Sequence, residues 1–568
     1  MMSNVTKSKK YTVEFGGINK SNRFREGELA NSENLSSDLL PFISQRGNRE
    51  QLGEFESPTA IHAHNGIAVV DGTKFLYKAD GEAEFDEKIQ LTEGKKQIAQ
   101  LNNMILIYPD KIWCDVTDAN NIVTKPLEAT VELEGRRSHY TSSSSYLYFT
   151  EIYHNRIVAS DVTAAAGVKI NGVEYENYCA KELYEKFAVN DIVTIPFQTY
   201  YISANINDDS YIYVGATNVI IRSITRNGNK TTIYFDDGTF FDKDTTYRNS
   251  YMDKNLKITK TAQALSCVCE SGGRVWGTNG QTIYASAYND IKSFLRFEGL
   301  SSDSYSINVS TPGAFTGCAS FSSHLVFFKE NYIHRIYGSR PSNFNMVTSN
   351  APGVQNGCYN SIRMLNERLF YKGVDGVYMY SGGMPVLISE GLGTEMYTDA
   401  VAGVQGNKYY ISMKNSKGEY ELFSYDTLKG IFLREDNTQF IDTTQMGGKL
   451  LFIDESGKLM AITGNQDTDG IEWSAELREF NETVNEKKGY SRITLRIELD
   501  EGAYMKAETA LDNEKFELVK TVSRPGKNIV NINIPPNRCD SFKLRLSGKG
   551  GCRVMNMVRE FITGSEVR

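Results

Sequence analysis

Hydrophobic and polar positions follow a short pattern that recurs seven times along this chain. Each unit contains an apolar run, a polar turn and a second apolar run, and the turns are centred near Asn65, Asn103, Gly273, Ser323, Glu367, Asn407 and Gly448. Successive turns lie 38, 170, 50, 44, 40 and 41 residues apart. A period near 40 to 45 residues with three or four short strands per unit is typical of a β-propeller.

The apolar runs indicate how the units pack. Residues 325–328 and 450–453 are apolar at every position, which predicts strands that are covered on both faces. A single sheet of this kind cannot bury both faces, so the units are expected to pack side by side in a closed ring of about seven blades. The same pattern leaves open a set of unrelated β-hairpins in a sandwich.

Closure of the ring requires a strand from elsewhere in the chain. The seventh unit, from Phe440 to Ile462, is too short for four strands and is followed by the polar residues 464–470. The segment before Thr59 is expected to supply the missing strand, because residues 11–15 alternate with the period of a strand. The predicted segments are therefore an N-terminal anchor and propeller-closing strand at 1–56, blades one and two at 57–128, and blades three to seven at 262–469.

Two further domains are predicted. The interval of 170 residues leaves an insertion at 129–261, which is β-rich and contains a hairpin turn at 227–229 and a short helix at 179–187 with Leu183 and Phe187 on one face. Residues 470–568 alternate strictly, for example at Ile493, Leu495 and Ile497, which predicts a C-terminal β-sandwich of jelly-roll-like type. The fold class is therefore all-β.

Charge and cysteine content exclude some classes of protein. The net charge is −8, and residues 471–568 carry 17 Lys or Arg against 15 Asp or Glu, so residues 1–470 carry −10. This balance argues against a surface that clamps nucleic acid sequence-specifically. The eight cysteines show no CxxC pair, which predicts free thiols in a protein made in a reducing cytoplasm. No membrane span or cleavable signal is expected from the hydropathy pattern.

Motifs for catalysis are absent from the sequence. The chain has no GK[ST] phosphate loop, HExxH, GxSxG or CxxC motif, so no enzyme activity, cofactor or metal is expected. His62 and His64 lie on one face of a predicted strand and leave a metal site open as the alternative to ordinary partly buried histidines. A pair of glycosidase carboxylates also stays open, because the sequence does not show which of the 70 Asp and Glu residues lie close together in the fold.

Both ends of the chain resemble a known family. Residues 15–19 read Phe-Gly-Gly-Ile-Asn, residues 28–30 read Glu-Leu-Ala, and residues 34–46 read Asn-Leu-Ser-Ser-Asp-Leu-Leu-Pro-Phe-Ile-Ser-Gln-Arg. With residues 539–548 and the repeat period, these segments are similar to β-propeller tail proteins, of nozzle or hub type, of tailed bacteriophages and prophages. Residues 190–195 also resemble the start of a strand in the inserted domain of these proteins, although Asn190 replaces a glycine.

The resemblance implies a structural part of the virion tail, made in the host bacterial cytoplasm. Its expected partners are further copies of itself in a ring and the adaptor or portal and fibre proteins of the tail. Transient non-specific contact with phage DNA in the ejection channel is also expected, and contact with the host surface stays open. An acidic channel wall would repel DNA phosphates. The alternatives are a host-adsorption protein that binds a glycan or receptor, for which Tyr200, Tyr201, Tyr211 and Tyr213 are candidates, and, less favoured, a propeller glycoside hydrolase.

The segment from Asn34 to Arg46 is the predicted anchor. Asn34, Asp38, Pro41 and Arg46 are its assembly residues, expected in a loop between the closing strand and the first blade. Two interpretations stay open: a staple that closes the fold, or a docking point for a neighbouring tail protein.

Overall fold

Short antiparallel strands dominate the computed structural model, in which 56% of residues are strand and 3% helix. The structure describes residues 6–82, 84–118, 121–135, 137–139, 146–162, 168–170, 173–201, 211–241, 251–252, 255–464, 470–482, 485–512, 514–535 and 537–563. The predicted all-β, propeller-type fold class is confirmed.

Each of the seven repeats forms one four-stranded antiparallel sheet. The first repeat sheet consists of Pro58–Ala63, Gly66–Asp71, Lys74–Ala79 and Asp86–Gln90. The second consists of Gln97–Leu101, Met104–Tyr108, Ile112–Asp115 and Val123–Pro126. The third consists of Ser266–Ser271, Arg274–Asn279, Thr282–Ala285 and Tyr305–Asn308. The fourth and fifth consist of Gly317–Phe321, His324–Lys329, Tyr332–Tyr337 and Asn345–Asn350; and Arg363–Leu365, Arg368–Lys372, Val377–Tyr380 and Val386–Leu387. The sixth consists of Thr398–Gln405, Lys408–Lys414, Tyr420–Asp426 and Ile431–Asp436.

The seventh repeat sheet takes its fourth strand from the N-terminal segment. Phe440–Met446, Lys449–Asp454 and Lys458–Ala461 are joined by Glu50–Glu54, which pairs with Lys458–Ala461. The prediction that residues 11–15 supply this strand is wrong, because Thr6–Thr12 pairs with Cys552–Thr563 instead. Glu50–Glu54 is almost wholly exposed and has no alternation of apolar residues, so the period of a strand could not reveal it.

The seventh sheet also contacts the first. The backbone N–H of Ile61 donates to the Asp442 carboxylate over 3.0 Å, and that of Ala63 donates to the Thr444 hydroxyl over 3.0 Å. The Thr443 hydroxyl donates to the Ala402 carbonyl of the sixth sheet over 2.6 Å. First strands of the sixth, seventh and first sheets therefore lie next to one another, as propeller closure requires.

The inserted domain has its own apolar core. A five-stranded sheet contains Ala129–Leu133, Leu256–Lys260, Ile192–Tyr201, Tyr211–Ile220 and Tyr251–Met252, and a four-stranded sheet contains Thr150–Tyr153, Arg156–Ser160, Lys230–Tyr234 and Ser223–Asn227. Two-stranded ribbons are formed by Arg137–His139 with Tyr146–Tyr148 and by Lys169–Ile170 with Val173–Glu174. The predicted helix is confirmed at Cys179–Lys186, and Leu183 and Phe187 are both fully buried in the core.

The C-terminal strands form two sheets whose buried faces share one core. The first sheet contains Leu35–Ser36, Ile43–Gln45, Cys552–Thr563, Lys488–Leu499, Gly526–Asn533, Thr6–Thr12 and Arg538–Cys539, and the second contains Leu29–Glu33, Glu472–Leu477, Phe542–Lys549, Tyr504–Leu511 and Glu517–Val522. Burial alternates along Phe542–Lys549, as the alternation of apolar and polar residues in this domain predicts. Within the described residues, 3₁₀ turns lie at Pro341–Asn343, Tyr359–Ser361 and Glu390–Leu392.

Residues 1–56 pair with distant parts of the chain. They contribute four strands to the sandwich and one to the seventh repeat sheet. Contacts divide the chain into two compact units, Met1–Phe85 with Gly313–Arg335 and Val347–Arg568, and Asp86–Pro312 with Ile336–Met346. These units do not follow the five predicted segments, because paired strands join residues that lie far apart in the sequence.

Candidate functional site at the N-terminal anchor

The predicted anchor segment lies in the sandwich rather than in a loop. Leu35–Ser36 and Ile43–Gln45 are paired strands of its first sheet, and only the turn at residues 37–42 projects from them. Strands of two and three residues are too short to show a period, so the sequence did not reveal them; Asp38, Pro41 and Arg46 lie outside these strands. The four predicted residues lie at the two ends of this hairpin and in its turn.

Asn34 and Arg46 hold the ends of the hairpin together. The Arg46 Nε donates to Asn34 Oδ1 over 2.8 Å, and the Asn34 side-chain amide donates to the Glu472 carbonyl over 2.8 Å. The Asn34 backbone N–H also donates to the Glu435 carbonyl over 2.6 Å. This pair therefore connects the sandwich to the last strand of the sixth repeat sheet, Ile431–Asp436.

Three charged residues that were not predicted complete the network around Arg46. Arg49 donates to Glu435 Oε2 over 2.9 Å and lies 2.9 Å from Asp436 Oδ2, while Arg46 donates to the same Asp436 oxygen over 3.2 Å. We call Arg46, Arg49, Glu435 and Asp436 the arginine network. Its four charges balance, which satisfies the condition for burying ionised groups.

Electrostatics in the arginine network favour the ionised forms. Burial opposes ionisation of Asp436, but the Arg49 and Arg46 guanidiniums outweigh it and hold the pKa of Asp436 below its usual value. Burial likewise opposes the charge on Arg49, but Asp436 and Glu435 raise its pKa. Arg46 is the exception, because burial and the neighbouring Arg49 guanidinium lower its pKa.

Asp38 and Pro41 face solvent. The Asp38 carboxylate lies 2.8 Å from Lys408 Nζ and accepts from the Ser36 hydroxyl over 2.6 Å, and 71% of its side chain is exposed. Partial desolvation opposes its ionisation, but Lys408 and Ser36 hold the pKa of Asp38 below its usual value. Pro41 is exposed, and its carbonyl accepts from the Phe15 backbone N–H over 3.0 Å.

The Phe-Gly-Gly-Ile-Asn motif reaches the same strand of the sixth sheet. The Ile18 N–H donates to the Phe432 carbonyl over 2.8 Å. A side chain at Gly17 would place its Cβ 2.6 Å from Ile431 Cβ and 2.7 Å from the Phe432 carbonyl oxygen. Only glycine permits this approach of two backbones, which explains the residue at position 17.

A cavity of about 470 Å³ opens beside the hairpin turn. We call it the anchor groove, and its lining residues are Ser36, Asp38, Leu39, Ser44, Gln45, Gly47, Glu498, Asp500, Gly551, Cys552 and Arg553. Of the three lining carboxylates, Glu498 pairs with Arg553 over 3.1 Å and Asp38 with Lys408 over 2.8 Å, which leaves the exposed Asp500 as the main source of uncompensated negative charge. The groove therefore favours a positively charged group.

The other predicted candidates are described only in part. In the ranges given above, no three His, Cys, Asp or Glu side chains are arranged to hold a metal ion, and no helix is long and apolar enough to cross a membrane. The side chains of Tyr200, Tyr201 and Tyr211 lie outside the described part, whereas Tyr213 is exposed. All eight cysteines are free, as predicted.

Comparisons with known proteins give only distant likenesses. No protein-family model and no curated protein matches the chain. Among solved structures, Hsv2 of Kluyvelomyces marxianus is 13% identical, with a TM-score of 0.26 over 36% of this chain and 65% of Hsv2. An exo-beta-1,3-galactanase of Phanerochaete chrysosporium is 8% identical, with a TM-score of 0.22 over 51% and 94%. BamB of Moraxella catarrhalis is 12% identical, with a TM-score of 0.22 over 44% and 80%; all three are β-propeller proteins.

Proposed function

We propose that the protein is a structural subunit of a bacteriophage tail, of nozzle or hub type, which acts by docking and ring assembly. The observation that carries the proposal is the place where the tail-like motifs converge. Ile18, Asn34 and Arg46, from the two N-terminal motifs, all contact the strand Ile431–Asp436. The residues that carry the resemblance therefore perform the same task, which is to join the beginning of the chain to the repeat sheets.

The proposed place in a ring around the DNA channel is argued from the repeats. The repeat sheets are proposed to act as propeller blades, and the first and seventh of them meet where Ile61 and Ala63 donate to Asp442 and Thr444. Copies of the chain form a ring around the DNA channel, with one patch of each subunit against a different patch of the next. The charge of −10 on residues 1–470 keeps DNA from adhering to the channel wall.

Imaging of purified phage particles tests this function. Particles carrying the protein with an epitope tag should show the label on a ring at the tail, and particles made without the protein should lack that ring and fail to eject DNA. Label on the capsid, or tails that stay complete without the protein, would contradict the proposal.

The anchor groove is the proposed docking point, and its occupant is a Lys or Arg side chain of a neighbouring tail subunit. We expect Asp38→Asn with Asp500→Asn to leave monomer unfolding unchanged, because the Asp38 side chain is 71% exposed and Asp500 is also exposed. Incorporation of the double variant into particles should fall, since two of the three groove carboxylates are lost. The measurement is the ratio of this subunit to capsid protein in purified particles.

Arg46→Met separates the two interpretations of the anchor. Its contacts with Asn34 and Asp436 lie within the chain, so the staple interpretation predicts a less stable monomer. A monomer of normal stability that fails to enter particles would instead assign Arg46 to docking. Normal incorporation of the Asp38 and Asp500 variant would remove the groove from the proposal.

Host adsorption is the second candidate, because large aromatic side chains are exposed on the inserted domain. Phe197 is 68% exposed and Tyr213 is 65% exposed, and they lie on the paired strands Ile192–Tyr201 and Tyr211–Ile220. Exposed aromatic faces of this kind stack on sugars. Binding of the wild-type protein to a bacterial glycan array, lost in Phe197→Ser with Tyr213→Ser, would favour adsorption over ring assembly.

A further inference from the structure

The inserted domain meets the third repeat sheet at a small cavity lined by lysines. This cavity has a volume of about 60 Å³ and lies next to Asp191, Thr194, Lys260 and Lys292. Lys260 ends the strand Leu256–Lys260, and Lys292 lies in the connection between Thr282–Ala285 and Tyr305–Asn308. All of these residues belong to one compact unit.

Positive charge exceeds negative charge around this cavity. The Lys260 side chain is 4% exposed and its Nζ lies 2.7 Å from Asp191 Oδ2, while Lys292, 10% exposed, has its Nζ 4.0 Å from Asp191 Oδ1. A third amino group, that of Lys125, donates to the backbone carbonyls of Tyr184 and Phe187. Lys125 lies outside the lining and is attracted by Glu185 as well as by Asp191, so at the cavity itself two ammonium groups share one carboxylate.

Asp290, the other acid next to Lys292 in the sequence, is engaged by local hydrogen bonds and does not line the cavity. The Asp290 carboxylate accepts from the backbone N–H of Lys292 and from the Ser293 hydroxyl, both over 2.9 Å. Burial lowers the pKa of Lys125 to about 8. It also lowers the pKa of Lys260 in spite of the attraction of Asp191. Buried ammonium groups without matching negative charge destabilise a fold unless an anion joins them.

Hydrogen-bond donors are also in excess. An ammonium group has three N–H donors. In the described part of the chain, Lys260 donates to Asp191 and Lys292 donates to the Val189 carbonyl, so two donors remain on each. The Thr194 hydroxyl oxygen accepts from the Asn218 backbone N–H over 3.4 Å, which leaves its own hydrogen available. Convergent donors around a small space are what an oxyanion requires.

We propose that this cavity binds one small tetrahedral oxyanion of the phosphate or sulfate class, held by the ammonium groups of Lys260 and Lys292 and by Thr194. The volume suits such an ion, because a single buried water needs roughly 10–15 Å³ in the same measure. The bound ion neutralises the excess charge and ties the inserted domain to the third repeat sheet. This inference does not depend on the tail assignment.

Equilibrium dialysis of the full-length protein against labelled inorganic phosphate tests the site. The wild-type chain should bind one phosphate, sulfate should compete, and chloride at equal ionic strength should not. Lys292→Gln should weaken binding by about tenfold or more, since it removes one charge-assisted contact. The matched control is Lys257→Gln on the same strand, because Lys257 is 56% exposed and pairs with Glu132.

Thermal unfolding gives a second readout. Rising phosphate at fixed ionic strength should raise the midpoint of the wild-type protein and of Lys257→Gln, but not that of Lys292→Gln. The proposal is overturned by a wild-type chain that binds no phosphate. It is equally overturned by chloride competing as well as sulfate, or by identical phosphate binding in the two lysine variants.

Discussion

Replacing Arg559 by Met is expected to lower the free energy of unfolding of the sandwich by about 3–5 kcal/mol, the usual cost of leaving a buried charge without its partner. The Arg559 side chain is fully buried, and its Nε donates to Glu482 Oε1 over 2.8 Å. Glu482 is buried as well and would be left without this partner. Two N-terminal contacts also depend on Arg559, namely Thr12 Oγ1 at 2.6 Å and Glu26 Oε1 at 2.7 Å.

The measurement is denaturant unfolding together with hydrogen exchange of the strand Thr6–Thr12. Because the chain has more than one compact unit, exchange rates identify which part has loosened. Amides of Thr6–Thr12 should lose protection in Arg559→Met, while those of the inserted domain keep it. Lys9→Gln is the control on the same strand, since Lys9 is 60% exposed and should leave protection unchanged. Unchanged exchange in Arg559→Met would show that the buried pair does not hold the N-terminal strand.

Replacing Arg49 by Met is expected to lower the free energy of unfolding by about 3–5 kcal/mol as well, for the same reason. The Arg49 side chain is 9% exposed and lies against Glu435, which is 6% exposed. Without Arg49, the remaining cation near Glu435 in the arginine network is Arg46, whose Nε is 3.7 Å away. Arg49 directly precedes Glu50–Glu54, so amide protection of that closing strand should fall in hydrogen-exchange measurements.

Lys449 provides the control for Arg49. Lys449 lies 3.7 Å from Glu50 at the surface, and their side chains are 59% and 50% exposed. Lys449→Gln should change the free energy of unfolding by less than about 0.5 kcal/mol, because exposed ion pairs contribute little. Equal losses of protection in the two variants would mean that the closing strand is held by backbone pairing and not by the arginine network.

Elements with a strong local pattern were predictable from the sequence. The helix Cys179–Lys186 follows from one apolar stripe, and the sandwich strand Phe542–Lys549 follows from alternation of apolar and polar residues. Both patterns arise because one face of the helix or strand is buried. The closing strand Glu50–Glu54 has no buried face. It forms by pairing with Lys458–Ala461, a partner that the local sequence does not specify.

The candidate site was only partly predictable for a related reason. Asn34 and Arg46 lie in a network of contacts within the chain, as the staple interpretation expects. Arg49 and Glu435 were missed because they are 386 residues apart, and only the opposite charge of two short segments hints at their pairing. For Asp38, which faces the anchor groove, docking stays a prediction.

The pairing of the first described strand with the last affects how the chain matures on the ribosome. Thr12 and Arg559 are 547 residues apart, and synthesis at about 5–20 residues per second separates them by on the order of half a minute to two minutes. During that time Leu29 and Ile43, which end up buried, lack their partner strands Glu472–Leu477 and Cys552–Thr563. The sandwich is therefore expected to be the last part of the chain to form, and these early apolar residues stay uncovered until its C-terminal strands are made.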